Sequence, residues 1–145
     1  MTEVTNVYFA MGAMSHAARA QIAVKAAELA LPVFEKAHPD DRRIFSAVDA
    51  AKAHLADEKT WDIFDLAHAD GQARTAINEI ASKMEDLKVN HAMYSAVNAC
   101  AYIAADNKDE FMDAGLDAVR FAIEADPSIE QQLVAYINDN QAELA

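Results

Sequence analysis

The sequence predicts an all-α protein of about six antiparallel helices, in a compact bundle or a short stack of helical hairpins, and three observations predict it. Alanine takes 33 of the 145 positions, while glycine and proline have three each; alanine is the best helix former, and glycine and proline are the worst. Apolar side chains recur at steps of three and four along most of the chain, which is the spacing of one helix face. Asp, Asn, Ser and Thr stand where such stretches begin, as helix caps do. A chain of 145 residues fits one helical domain over residues 1–145 and can bury a core without disulfides or a structural metal.

The first helix is expected from about Ser15 to Lys36, on Ile22, Ala26, Leu29 and Val33. Pro32 falls inside it and should kink or split it near Leu31. The pair His38-Pro39 closes it, because a residue before proline avoids the α region. A second helix opens at Asp40 or Asp41 and runs to about Ala56, with Ile44, Val48, Ala51 and Leu55 inward. The third starts at Thr60, a good N-cap with Asp62 near the positive helix end, and reaches about Met84 through Leu66, Ala69, Ala73, Ile77 and Ile80. Gly71 in its middle marks a tight crossing or a break. The fourth covers about Val89 to Ala105 on Val89, Met93, Val97, Cys100 and Ala104. Asn107 caps the fifth, with Glu110 in capping-box register, and Met112, Leu116, Val119 and Ile123 face inward. The last takes Asp126 as its cap and Pro127 as its first residue, with Ile129, Leu133, Tyr136 and Ile137 inward. Tyr8, Phe9 and Trp61 stand near helix starts and are expected in staples and core. The apolar arm Val7 to Met14 also offers a face for a second copy of the chain, so a homodimer is one expectation.

Charge narrows the function classes. The net charge is −12, from 12 basic and 24 acidic residues, and residues 61–145 carry −11 of it. Such a surface repels phosphate backbones and anionic membranes, so neither is expected as a direct partner. It favours a basic protein surface as partner, or simple solubility. The single cysteine, Cys100, has no internal disulfide partner, which fits a reducing compartment. No basic n-region precedes the apolar stretch at the start, and no apolar run approaches the roughly 20 residues of a membrane span. The cytoplasm is the expected location.

Sites for chemistry are sparse. Asp65 and His68 are spaced i, i+3 with Asp62 a turn earlier, but no Glu-x-x-His matches them elsewhere, as a di-metal bundle needs. Cys100 lies on an apolar stripe, and Ser15, Ser46 and Ser95 lack a glycine elbow. No glycine-rich phosphate loop is present. No catalytic residue, metal site or cofactor is expected. Asp40, Asp41, Arg42 and Arg43 cluster where the second helix begins. The aspartates complement the helix dipole there, while Arg42 and Arg43 are candidates for a partner contact, arginine being enriched at binding hot spots. The acidic row Asp109, Asp113 and Asp117, with Glu110 and Glu124 nearby, is the other candidate surface. Like charges four apart on a helix oppose folding by a few tenths of a kcal/mol. Their spacing of about 6 Å coarsely resembles a phosphate ladder of roughly 3.4 Å per strand. The plainer reading is a solvated face.

The stretch Leu31-Pro-Val-Phe-Glu-Lys-Ala-His-Pro-Asp-Asp-Arg-Arg43, followed by Ala47-Val-Asp-Ala-Ala-Lys52, resembles a helical family of immunity proteins from bacterial polymorphic-toxin systems, with phage-encoded relatives. Its marks are a Leu-Pro-x-Phe-Glu segment, a Pro-x-Asp turn with a following arginine, and an alanine-rich helix; Ala67-His68-Ala69 and His91-Ala92 are looser likenesses. The resemblance implies a protein that binds and neutralises a cognate toxin or effector, with no catalytic residues and no cofactor. Two alternatives stand beside it. One is a phage anti-defence protein that occupies the nucleic-acid site of a host nuclease by acidic mimicry. The other is a helical-bundle enzyme or metal protein.

Overall fold

A computed structural model of the chain describes residues 3–56, 63–81, 86–104 and 112–144. Seven helices run through them: α1 (Val7–Gly12), α2 (His16–Ala37), α3 (Arg43–Ala56), α4 (Ile63–Ile80), α5 (Leu87–Ala104), α6 (Met112–Ala125) and α7 (Ile129–Asp139). They form a bundle, and no strand occurs among the described residues. No helix there is long and apolar enough to cross a membrane.

Two helices make the middle. The stretch from Leu87 to Ala104 carries Lys88 and no other Lys, Arg, Asp or Glu, so α5 is apolar nearly all round and sinks into the core. It packs on α2, α3, α4 and α6, while α2 packs on α1, α3, α6 and α7 as well. Much of this core is alanine: Ala23, Ala26, Ala27 and Ala30 of α2, Ala92, Ala96 and Ala99 of α5, and Ala118 and Ala122 of α6 are all buried. Small side chains let neighbouring axes approach closely. Between them Ile22, Phe34, Met93 and Tyr102 fill the volume. The Ser95 hydroxyl donates to the Ala118 carbonyl at 2.6 Å, a buried tie from α5 to α6.

Four expectations change on contact with the fold. The apolar arm is itself a helix, α1, started by the Asn6 side chain, which accepts from the Phe9 amide. It buries Val7 and Met11 but leaves Phe9 85% exposed, so Phe9 is not core; Trp61 lies outside the described residues. Pro32 neither splits nor ends α2, which runs unbroken to Ala37. An interior proline costs about 3 kcal/mol, and burial on both sides of it, at Ala27, Ala30 and Phe34, outweighs that. The second predicted helix begins at Arg43, later than expected, because Asp41 is its cap: the carboxylate accepts from the Arg43 amide at 3.1 Å. The last helix also begins later than expected, at Ile129 with Ser128 in its N-cap position, so Asp126 and Pro127 lie in the turn before it, where the Asp126 carboxylate accepts from the Ser128 amide at 3.0 Å.

The fourth concerns glycine. Gly71 is neither a break nor a close crossing: α4 runs through it, and a Cβ there would meet nothing within 4 Å. The tight crossing lies at Gly115, where an added Cβ would stand 3.1 Å from the Tyr102 ring. Gly71→Ala is therefore expected to stabilise the protein by about 0.5–1 kcal/mol, the helix preference of alanine over glycine with no contact disturbed. A urea midpoint no higher than that of the parent would contradict it. The Thr60 cap, the end at Met84 and the Asn107–Glu110 box fall outside the described residues.

Candidate functional site

Two surfaces hold the residues singled out from the sequence. The first is the turn between α2 and α3. His38 accepts from the Asp41 amide at 3.3 Å through its carbonyl, which folds Pro39 and Asp40 into the bend. Asp41 then grips Arg43 by a fork, with Nε at 3.0 Å and Nη2 at 2.7 Å from its two oxygens. The other side of that guanidinium reaches Glu79 on α4 at 2.8 Å. Paired hydrogen bonds from Arg43 are the main reason the Asp41 carboxyl sits below the usual aspartate range, against a smaller opposing effect of burial. Arg43 thus braces α3 to α4 from within the chain. Arg42 behaves differently: it is exposed and rests on the Phe45 ring at 4.1 Å, a cation–π contact. A cavity of about 840 Å³ opens beside it, lined by His38, Asp40, Ser46, His68 and Gln72 among others.

The second surface is acidic and lies on α6 and α7. Of the predicted row, Asp109 and Glu110 are outside the described residues, and so is the side chain of Asp113. Asp117 pairs with Arg120 at 3.1 Å, and Glu124 lies 3.4 Å from the imidazole of His91 on α5. Phe121 stands between them, with the Arg120 guanidinium 5.0 Å from its ring centroid and the His91 ring stacked at 5.5 Å. Of the predicted acids whose side chains are described, Asp117 therefore has a counter-ion on its own helix, while Glu124 lies beside an imidazole that is cationic only when protonated. On α7 and just past its end, Glu130, Asp139 and Glu143 are exposed and have no ion-pair partner among the described residues. Sequence reasoning passed over them, although a signal existed: residues 112–144 contain seven carboxylates and Arg120 as the one lysine or arginine. The Tyr8 hydroxyl of α1 feels the same surface. Its pKa is raised first by burial, then by Glu130 and Glu124, with Arg120 opposing.

Asp65 and His68 are exposed on α4 and gather no third metal-binding group among the described residues. Cys100 is buried in α5, its thiol donating to the Ala47 carbonyl of α3 at 3.4 Å. Burial is the main cause of its pKa being pushed up to about 12, the condition of a structural thiol. No family model, curated protein or solved structure matches the chain.

Proposed function

We propose that this protein acts by binding another protein, as an inhibitor of the immunity type, and that the acidic face of α6 and α7 is what it presents to a basic toxin or effector. The observation that carries the reading is the set Glu130, Asp139 and Glu143, exposed and without counter-ions among the described residues, on a stretch whose only lysine or arginine, Arg120, is already engaged by Asp117. Unpaired like charges repel one another and add nothing to folding. They do create a field that draws in a cationic surface and speeds its capture. The Leu31–Lys52 stretch, with its resemblance to immunity proteins, supports the same class of function. Arg42, poised on Phe45 at the edge of a large cavity, supplies a second point of contact of the kind that fixes orientation.

The test starts from affinity capture with the tagged chain in a lysate of the source cell at low and high salt. A basic partner held at low salt and released at high salt is the expected result. Replacing Glu130, Asp139 and Glu143 together by lysine should slow association with that partner by at least about tenfold, and flatten its dependence on salt. Replacing the exposed Asp49 and Asp65 of α3 and α4 by lysine should do much less. An association rate that is the same for both variants places the contact elsewhere.

A further inference from the structure

Helix α1 is short, yet it is pinned at several points. Asn138 of α7 clamps Val4, its side chain accepting from the Val4 amide at 2.7 Å and donating to the Val4 carbonyl at 3.0 Å. Arg19 of α2 holds the other end, donating to the carbonyls of Met11 at 2.7 Å and Gly12 at 3.1 Å. Val7 and Met11 are fully buried beneath it. The 85% exposure of Phe9 is therefore a feature of a fastened helix and not of a frayed one. Beside Phe9 lies an apolar groove of about 500 Å³ between α1 and the end of α7, formed by Val4, Ala10, Met14, Ile137 and Leu144, with Glu3 the one charged residue along it.

We propose that two copies of the chain associate about a two-fold axis through this face, α1 antiparallel to the other copy's α1, each Phe9 seated in the other copy's groove. A knob and a hole on the same face are what a two-fold contact requires, since it uses one surface twice. Charge fits the same arrangement. Glu3 precedes α1 and Arg19 caps its far end, and neither has an oppositely charged partner among the described residues. Antiparallel pairing brings each Glu3 to the other copy's Arg19.

Sedimentation equilibrium from about 1 μM to about 1 mM covers the range in which a small interface registers. The apparent mass should rise from one chain to two. Phe9→Glu should weaken the dimer at least about tenfold, as loss of a buried aromatic anchor does. Because Phe9 is exposed, its circular dichroism should match the parent. Ala13→Glu, which fills the groove and leaves Phe9 intact, should weaken the dimer to a similar degree, and Glu3→Arg should weaken it by setting like charges together. A mass of one chain at every concentration would overturn the proposal. So would a dimer indifferent to Phe9→Glu and Ala13→Glu, which would have formed through another face.

Discussion

Gly115→Leu is expected to lower the unfolding free energy by about 3 kcal/mol, the upper end of what overpacking a core costs. Even a single methyl at this position would stand 3.1 Å from the Tyr102 ring. That ring cannot swing aside. Tyr102 is fully buried, and the His16 ring lies 4.4 Å from it, centroid to centroid. The four carbons of leucine must therefore push α6 away from α5, and the tie from Ser95 to Ala118 lies one turn along the same contact. Urea denaturation of parent and variant measures the loss directly. A leucine variant with the parent midpoint would mean that α5 and α6 do not approach as closely as described. At Gly71, where a Cβ would meet nothing within 4 Å, adding a side chain has the opposite expected sign.

Phe34→Ala should cost about 3–5 kcal/mol, the range for deleting a buried phenylalanine. Its ring is fully buried near the end of α2, with His38 at 5.4 Å and Phe45 at 6.4 Å between ring centroids. It packs between His38 and Phe45, which flank the α2–α3 turn, so the cavity left by alanine lies beside that turn. Domains of this size are typically stable by only about 5–15 kcal/mol, so the variant should melt far below the parent in calorimetry. Phe34→Leu, which keeps most of the volume, should recover the larger part of the loss. A loss under about 1 kcal/mol for alanine would show that the turn does not rest on this ring.

Helix identity was legible in the sequence because it depends on periodicity and caps, which are local. Val89, Met93, Val97, Cys100 and Ala104 were read as one inward face, and all but Ala104, the last residue of α5, are buried. What was not legible is what depends on neighbours. On α6 the inward face was assigned to its largest side chains, yet Leu116 and Ile123 are only partly buried, while Gly115, Ala118, Ala122 and Ala125 turn inward with Val119. Close packing against Tyr102 selects small residues there, and no local pattern reports the partner across a helix crossing. Pro32 was misjudged for the same reason: its penalty is local, and the burial that overrides it is not. The start of α1 could have been found, since Asn6 precedes an apolar run as an N-cap does. Of the candidate partner residues, Arg42 and Arg43 are identical in sequence terms. Only the position of Glu79, on another helix, separates the one that braces from the one that faces out.

Because the chain has one cysteine, the burial of Cys100 between α3 and α5 gives the protein a built-in reporter. A thiol that is 1% exposed and whose pKa stands at about 12 offers almost no thiolate to a reagent at neutral pH. Alkylation can proceed only in the moments when these two helices part and water reaches the sulfur. The slow rate at which an added maleimide modifies the folded protein therefore counts openings of its interior, with no label or substitution introduced.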